Sequence, residues 1–311
     1  MRKGVGVAFG TWGADVSASS AEIKLLPDGS VKLMVGVTDI GTGAKTTMSL
    51  IAAEALGVPL EAIQVVYGDT DLAPYSPGES GSRTTLATGA AVIEAAKQVR
   101  EQLFAQAARN LKVKQEDLDL RDGKLVKTAN PSQSWRIAEV TGKNIDAITA
   151  SVTTQPGEPR DKARTSFAAH FAEVEVNLET GKVRVLNFVA AHDSGVIMNK
   201  LTAASQIQGA VIQGLGMALR EEMIWDRRTG IPVNNYYHGA KPIMHLEAPD
   251  TQVIFVETDD SYGPYGAKTI GEIGIVPAVG AVANAVYHAT GVRVRELPIT
   301  PERILTALRK G

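Results

Sequence analysis

The sequence contains no cysteine in its 311 residues. Disulfides, thiolate metal sites and iron–sulfur ligation by this chain are therefore excluded. Any metal that the chain binds must be held by other side chains or by a cofactor. The five histidines offer little for this purpose, because none stands in an HExxH motif or in a close sequence pair. We interpret them as core or surface residues and expect no histidine-ligated metal.

The sequence also lacks an excess of positive charge. It contains 32 Lys and Arg against 34 Asp and Glu, a formal net charge of -2. A nucleic-acid partner is not expected, since proteins of that class present a basic stripe or a strongly basic composition. The amino-terminal segment MRKGVGVAFGTWG has no long apolar run, so it predicts neither a signal peptide nor a membrane span. We therefore expect a cytoplasmic protein.

Several common enzyme motifs are missing. The segment DIGTGAKTT (39–47) is glycine-rich, but Ala44 separates Gly43 from Lys45 and the first glycine of a P-loop is absent. No GxGxxG motif follows a predicted strand, so nicotinamide binding has little support. No GxSxG motif occurs either. An ATP- or NAD-dependent enzyme that acts alone is kept only as an alternative.

Alternating apolar and polar residues predict two β-hairpins. The strands of the first are residues 21–26 and 31–36, and those of the second are residues 172–178 and 182–190. Each hairpin precedes a glycine-bearing segment and then a long Ala-rich helix. Composition and apolar spacing predict helices at 46–56, 84–110, 201–224, 276–290 and 301–309.

These elements predict an α+β fold with two packed α+β halves, each a β-hairpin or sheet with long Ala-rich helices. Residues 153–166 are polar and contain two prolines and one glycine, which indicates an exposed connection. We place the domain boundary in this connection. Residues 1–160 are then expected to form the first half and residues 161–311 the second.

The segment GAKTIGEIG (266–274) places one carboxylate, Glu272, between glycines in an almost uncharged neighbourhood. Glycine permits unusual backbone dihedrals and lets a ligand approach closely, and the apolar run at 273–289 would strip water from the carboxylate. These features make Glu272 a candidate for a base that accepts a proton during a reaction, with the following interpretation as an equal alternative. The alternative is a carboxylate at the N-terminus of a helix over 276–290, where the helix dipole stabilises negative charge.

Two further loops carry polar groups in front of predicted helices. The loop 39–47 has backbone N–H groups that could hold an anion or a polar ring, but a plain turn between hairpin and helix is an equal alternative. The loop 68–85 is rich in glycine, serine and threonine and would suit a phosphate- or oxo-rich ligand. Its alternative is a helix cap, with Ser82 or Thr84 at the N-cap.

Two aspartates and three glutamines are further candidates for polar contacts. Asp69 and Asp71 are interpreted as turn caps, because magnesium and calcium need more oxygen ligands. Gln206, Gln208 and Gln213 fall on one predicted helix among small aliphatic residues, where buried amides would need partners that a polar cofactor could provide. Helical spacing places Gln208 on a different side from the other two, so all three are not expected to face one ligand.

Several of these segments occur together in one order. The chain contains DIGTG followed by TxxxxIAAEALGVP, GDTDxxP followed by GSRTT, DSG followed by Asn199, GAVIQGLGMALREE, GAKTIGEIG and LPITPERILTAL. In this order they resemble the C-terminal half of the large, molybdenum-binding subunit of the xanthine dehydrogenase and aldehyde oxidase family, the molybdenum hydroxylases. The resemblance covers nearly the whole chain.

This resemblance implies a set of site residues. Glu272 matches the family's catalytic glutamate, and Trp12 matches roughly an aromatic residue of the substrate pocket. Loops of this kind line a tunnel for a molybdenum–molybdopterin cofactor in the family, so that the pterin and not a side chain holds the metal. The residues of this chain at the matching cofactor-binding positions are Ile40, Gly41, Thr42, Gly81, Ser82, Arg83, Thr84, Thr85 and Gln206.

The chain departs from the family in two respects. Many members have glutamine where this chain has the shorter Thr42. The family's single large subunit is also much longer, and its first half supplies further cofactor and substrate contacts. The opening MRKGVGVA is similar to the strand at which the second half starts. We therefore expect a natural split subunit, similar to that of nicotinate dehydrogenase.

By this resemblance the chain is the molybdopterin-binding subunit of a multi-subunit molybdenum hydroxylase. Such an enzyme hydroxylates an aromatic N-heterocycle (purine- or nicotinate-like) or an aldehyde with water as the oxygen source. The cofactor is expected in its cytosine dinucleotide form. Expected partners are the other molybdopterin subunit, an iron–sulfur subunit with 2Fe-2S clusters and a subunit with FAD. The alternative is a non-catalytic structural or assembly subunit that has kept the fold.

Overall fold

The computed structural model describes residues 1–14, 17–141, 147–155, 165–259 and 262–310. Within these ranges the strands are β1 (Arg2–Gly13), β2 (Ser19–Leu25), β3 (Val31–Val35), β4 (Ile63–Val66), β5 (Leu118–Arg121), β6 (Lys124–Lys127), β7 (Asn130–Arg136), β8 (Ile148–Thr154), β9 (Thr165–Val176), β10 (Val183–Asp193) and β11 (Asp250–Phe255). The helices are α1 (Ala44–Leu56), α2 (Thr84–Leu111), α3 (Ile137–Val140), α4 (Lys200–Leu219), α5 (Tyr237–Ala240), α6 (Ala278–Thr290) and α7 (Pro301–Lys310).

The chain forms two compact units, and the sequence of one is inserted into that of the other. Unit 1 contains Met1–Gly13, Thr165–Thr258 and Thr269–Gly311, and unit 2 contains Ala14–Arg164 and Asp259–Lys268. The domain halves 1–160 and 161–311 stay a prediction. The compact units differ from them at β1, which belongs to unit 1 because it pairs with β9 along its whole length.

Part of the predicted connection at 153–166 can be placed. Residues 156–164 lie outside the described residues. The flanking residues belong to strands, since β8 extends to Thr154 and β9 begins at Thr165. Strand pairing therefore continues into both ends of the segment that composition marked as a connection.

Unit 1 contains a four-stranded sheet in the order β1-β9-β10-β11. The predicted hairpin is present: β9 and β10 are antiparallel, and Gly181 in their connection has a φ of 72°. The chain then passes through α4 and returns as β11, which is parallel to β10. At the other edge β1 is antiparallel to β9.

Unit 2 repeats this arrangement in the sheet order β4-β3-β2-β8. The hairpin of β2 and β3 is followed by α1 and then by β4, which is parallel to β3. At the other edge β8 is antiparallel to β2, and α2 packs on β2 and β8. Both predicted hairpins and the α+β fold class are confirmed.

The sequence did not indicate the small antiparallel sheet of β5, β6 and β7, which follows α2. Most predicted helix bounds agree with the structure, but the helix predicted at 201–224 ends at Leu219. Its last turn is closed by tertiary contacts, because the Ala218 carbonyl accepts a hydrogen bond from the N–H of Ile299 at 2.6 Å. The Arg220 guanidinium is held by the Glu247 carboxylate.

Glycines bring α6 directly onto β1. A Cβ atom at Gly6 would stand 2.2 Å from the carbonyl oxygen of Ala281, and Gly4 is equally confined. In the same interface the N–H of Val5 donates to Nδ1 of His288 at 3.0 Å. Any side chain at these glycines would force the helix away from the strand.

The other face of the unit 1 sheet is exposed. Side chains alternate along a strand, so residues between the glycines of β1 point away from α6. Phe9 is 79% exposed, and Val7, which stands opposite Phe171 of β9, is also exposed. An antiparallel sheet with one solvated face normally carries polar residues on it. This face therefore carries an apolar patch of Val7, Phe9 and Phe171.

Candidate functional site

Glu272 lies in a series of turns that leads into α6. The N–H of Ile275 donates to the Glu272 carbonyl oxygen at 3.3 Å, and α6 starts only at Ala278 with no acidic residue in its first turn. The side chain is half-buried beside the buried Ile273. Glu272 is therefore not the first-turn carboxylate of a helix, and that alternative is wrong.

Two contacts fix the position of this segment within unit 1. The buried Ser166 hydroxyl of β9 donates to the Thr269 carbonyl oxygen at 2.6 Å, and the two hydroxyls lie 2.9 Å apart. Gly274 packs on α4, where an added Cβ would stand 2.7 Å from that of Ala210. Gly274 has no positive φ. The expectation that it supplies an unusual dihedral is wrong, because close packing is what requires glycine there.

The DIGTG loop forms a turn that its own carboxylate closes. Asp39 accepts hydrogen bonds from the N–H groups of Gly41 at 3.2 Å, Gly43 at 3.0 Å and Lys45 at 3.3 Å. These amides precede or begin α1, so the place of an external anion is already taken by Asp39. Ile40 is 71% exposed. The plain-turn alternative describes the amides of this loop better than anion binding does.

Thr42 links this loop to the loop 68–85. Its hydroxyl donates to Oε2 of Glu79 at 3.2 Å. Burial raises the pKa of the Glu79 carboxyl, and the negative charge of Asp39 raises it further, while hydrogen bonds from the Thr42 hydroxyl and the Thr38 backbone lower it. The other carboxyl oxygen, Oε1, is buried and has no hydrogen-bond partner among the described residues.

The loop 68–85 begins with an aspartate turn and ends in left-handed backbone. Asp69 Oδ1 accepts from the N–H groups of Asp71 at 2.9 Å and Leu72 at 3.3 Å, in agreement with the interpretation as a turn cap. Ser82 has a positive φ of 53°, and Gly78 has a φ of 82° with open space where a Cβ would stand. Arg83, directly after Ser82, has right-handed backbone with a φ of -91°. A left-handed residue next to a right-handed one turns their backbone N–H groups toward one point.

Arg83 braces this loop and precedes α2. Its guanidinium donates to the carbonyl oxygens of Gly78 at 3.2 Å and Pro77 at 2.9 Å and to the Ser17 hydroxyl at 3.1 Å. Arg83 itself is the N-cap of α2, without a side-chain capping bond in the described part of the chain. The alternative with Ser82 or Thr84 at the N-cap is therefore wrong. The first residues of α2 are Thr84 and Thr85, and their helix end fits an anionic group such as phosphate.

The remaining predicted residues lie in unit 1. Gln206 is half-buried in the first half of α4. Gln208 faces another direction, as expected, and its amide donates to the Thr251 carbonyl of β11 at 3.4 Å. Trp12 lies on β1 opposite Ser166, and its Nε1 is buried without a hydrogen-bond partner among the described residues. An unpaired indole N–H of this kind fits a ligand that accepts a hydrogen bond.

The predicted site residues thus form two sets. Glu272, Gln206 and Trp12 belong to unit 1, and the residues of the loops 39–47 and 68–85 belong to unit 2. Within unit 2 the structure brings Thr42 to Glu79, which the sequence analysis did not select. The signal was present, because Glu79 stands between Gly78 and Gly81 in the same kind of glycine-flanked position as Glu272.

Two histidines far apart in sequence meet in the core of unit 1. The Nε2 atoms of His170 and His192 lie 2.8 Å apart, and both residues have no exposed surface. Burial lowers the pKa of both imidazoles well below 6.5, and the nearby His192 lowers that of His170 further. In this pair one ring donates and the other accepts. Both Nδ1 atoms are buried without a partner among the described residues.

Two features are absent from the part of the chain that the structure describes. No group of three or more histidine, aspartate or glutamate side chains there could hold a metal ion. No helix in the same residues is long and apolar enough to cross a membrane.

The chain is similar to known molybdenum proteins. A sequence profile described as molybdopterin cofactor-binding domain matches residues 1–249. The aldehyde oxidoreductase molybdenum-binding subunit PaoC of Escherichia coli strain K12 is 37% identical over 307 residues, which cover 98% of this chain and 41% of that protein. The putative xanthine dehydrogenase molybdenum-binding subunit XdhA of the same strain is 33% identical over 321 residues, which cover 98% of this chain and 42% of that protein.

The fold is also similar to a solved structure. The crystal structure of quinoline 2-oxidoreductase from Pseudomonas putida 86 matches with a TM-score of 0.90 and 27% identity, over 99% of this chain and 42% of that chain. The chain therefore spans about two fifths of the length of the proteins it matches.

Proposed function

Because this chain belongs to the molybdopterin cofactor-binding domain family, as found in the molybdenum-binding subunits of the xanthine dehydrogenase family, we propose that it is the cofactor-binding part of a molybdenum hydroxylase. The similarity to an aldehyde oxidoreductase subunit over 98% of the chain carries this proposal. The proposed enzyme is an oxidoreductase that uses water to hydroxylate an electron-poor carbon.

The proposed chemistry assigns one proton transfer to this chain. When bound, the molybdenum cofactor would supply the redox chemistry by accepting two electrons from the substrate. The net change is the addition of one oxygen atom from water to a carbon that carried hydrogen, with release of two protons. Glu272 would accept one of these protons as a base. A carboxylate within hydrogen-bond reach contributes about 10² to 10⁴ in rate.

The two loops of unit 2 would bind the cofactor in different ways. In the loop 68–85, the left-handed residues suit the phosphates of a dinucleotide, and so does the start of α2, where the N-cap residue makes no side-chain capping bond in the described part of the chain. At the DIGTG loop, the positive φ of 102° at Gly41 and the open space beside it suit the approach of a ring. Ile40 and Thr42 would flank this approach. In unit 1, Gln206 would bind the cofactor and Trp12 would line the substrate pocket.

Electron transfer requires further chain segments. This chain has no cysteine, so 2Fe-2S clusters would have to be ligated elsewhere. We therefore assign the clusters and FAD to partner subunits, and the remaining cofactor contacts to another molybdopterin-binding part. The relatives named molybdenum-binding subunits support a hetero-oligomer of this kind. We propose the cytosine dinucleotide form of the cofactor and a cytoplasmic location.

The substrate is proposed as a class. Among the similar proteins, two are named for an aldehyde and for xanthine, and one solved structure is named for quinoline. Aldehydes and aromatic N-heterocycles share an electron-poor carbon bonded to hydrogen. Such a carbon suits attack by an oxygen nucleophile, and a base assists this attack by removing the proton of the nucleophile.

The role of Glu272 can be tested in the complex reconstituted with its partner subunits. Glu272→Ala should lower kcat for an aldehyde or N-heterocycle by about 10² to 10⁴, because the base is lost. Molybdenum content, measured on the same sample, should be unchanged. Glu179→Gln is a matched control, since Glu179 is an exposed turn residue, and it should leave both quantities unchanged.

The outcomes separate the proposal from its alternatives. Near-normal turnover of Glu272→Ala with full molybdenum content would remove Glu272 from the chemistry. A wild-type complex that purifies without molybdenum would instead indicate a non-catalytic assembly subunit. Activity of the chain alone with ATP or NAD would indicate an unrelated nucleotide enzyme.

A further inference from the structure

Thr42 and Glu79 form a polar pair that joins the two loops of unit 2. The Thr42 hydroxyl donates to Glu79 Oε2 at 3.2 Å. Both residues are half-buried. Asp39 already accepts hydrogen bonds from the N–H groups of Gly41 and Gly43, and the Thr42 side chain between them is a polar group by which this loop could meet a ligand.

The direction of this hydrogen bond limits what Thr42 can do. A threonine hydroxyl has one proton and two lone pairs. A carboxylate is an acceptor only, so the single proton of Thr42 points to Glu79 and leaves its lone pairs available. Toward any further partner Thr42 then acts as an acceptor. A glutamine amide, which many molybdenum hydroxylases have at this position, can instead donate through its NH₂ group.

The Glu79 carboxyl lies in surroundings that strengthen its hydrogen bond with Thr42. Burial raises its pKa, and Asp39 is the charged group that acts on it. Its Oε1 atom is buried without a partner among the described residues. Hydrogen bonds to a poorly solvated carboxylate are stronger than those in water. When the carboxyl is protonated, it can donate a hydrogen bond to the Thr42 oxygen. The Thr42 hydroxyl can then donate its own hydrogen bond to another acceptor.

We propose that Glu79 is a positioning residue that holds the Thr42 hydroxyl as a hydrogen-bond acceptor, so that this position binds a proton-bearing oxygen or nitrogen of the ligand rather than a bare oxo group. The inference rests on the proposed function, since the ligand in question is the molybdenum cofactor with its bound water or substrate. It assigns to Glu79 an effect that acts through Thr42.

The test uses the reconstituted complex and the pH dependence of its molybdenum EPR spectrum. The variants are Glu79→Gln, Thr42→Val, the double variant and Thr42→Ser, with the exposed Glu61→Gln as control. In wild type, protonation of Glu79 should change the spectrum in a transition above pH 4.5, because the pKa is raised from that value. Glu79→Gln should lose this transition, because an amide does not titrate in this range, while molybdenum content should stay within about twofold of wild type, because the shape of the side chain is kept.

Non-additivity separates positioning from a structural role. In the Thr42→Val background, Glu79→Gln should have no further effect on the spectrum, whereas Thr42→Ser and Glu61→Gln should behave as wild type. Additive effects, or a transition that persists in Glu79→Gln, would overturn the inference and leave the proposed function intact. A wild-type complex without molybdenum would overturn both.

Discussion

His170 and His192 meet because of the register of two strands. His170 of β9 stands opposite Ala190 of β10, two residues before His192. The two histidines are 22 positions apart in sequence, so no local pattern indicates the contact. Burial keeps both rings neutral in the folded protein. The pair therefore couples folding to protonation.

We expect the stability of the protein to fall as the pH decreases below 6.5. In the unfolded chain the two histidines titrate near that value, whereas in the folded protein their pKa values are lower. The unfolded chain then binds more protons in acid. Each histidine can lower the free energy of unfolding by up to about 1.4 kcal/mol per pH unit in this window.

Urea unfolding at a series of pH values checks this expectation. The double variant His170→Leu/His192→Leu should show a flatter dependence below pH 6.5 than wild type. The exposed His238 serves as control, and His238→Gln should keep the wild-type slope. An equally steep slope in the double variant would show that other groups cause the acid sensitivity.

The residues of the candidate site differ in how far sequence could identify them. Glu272 could be selected because glycines and apolar residues surround it locally. The hydrogen bonds of the Gly41 and Gly43 N–H groups could not be predicted, since they depend on the orientation of the Asp39 side chain, which accepts them. The contact of Thr42 with Glu79 joins two loops 37 positions apart and required the tertiary structure.

At the scale of elements, the sequence predicts those helices and strands whose apolar residues recur at a regular spacing. Both hairpins were predicted from alternation and turn residues, and α1, α2, α6 and α7 from composition and spacing. The end of α4 was missed because tertiary bonds at Ala218 and Arg220 stop it while helix-forming residues continue. The strands β5 and β6 have only four residues each, and the seven residues of β7, NPSQSWR, do not alternate between apolar and polar.

The contact between β1 and α6 permits a test with one type of substitution. Gly6→Ala should destabilise the protein by about 1 to 3 kcal/mol, since the new methyl would stand 2.2 Å from backbone atoms of Ala281 and Ala285. Gly209→Ala in α4 meets no atom within 4 Å and should stabilise by about 0.5 to 1 kcal/mol. Chemical unfolding measures both. Equal effects of the two variants would contradict the packing explanation.

At the scale of the whole molecule, the exposed face of the unit 1 sheet is unusual. Phe9, Val7 and Phe171 form an apolar patch on it. Exposed patches of this kind promote association between molecules. Composition could not indicate the patch, because an alternating strand shows that one face is apolar but not which neighbours cover it.

We expect the isolated chain to self-associate less after the patch is made polar. Phe9→Thr keeps a residue that suits a strand and removes the most exposed aromatic ring of the patch. Sedimentation velocity over a range of concentrations should show weaker association than in wild type. The unfolding free energy should change by less than about 0.5 kcal/mol, since the site is on the surface. Unchanged association would place the cause elsewhere.

The glycine-lined contact of β1 with α6 also affects the order in which the protein folds during synthesis. Val5 and His288 are 283 residues apart, so a ribosome that has released β1 needs about 15 to 60 s to reach α6. During this interval the hairpin, α1 and α2 of unit 2 are synthesised, whereas the glycine face of β1 has no helix to cover it. Nascent chains arrested before residue 278 should therefore contain a protease-resistant unit 2 and an accessible β1.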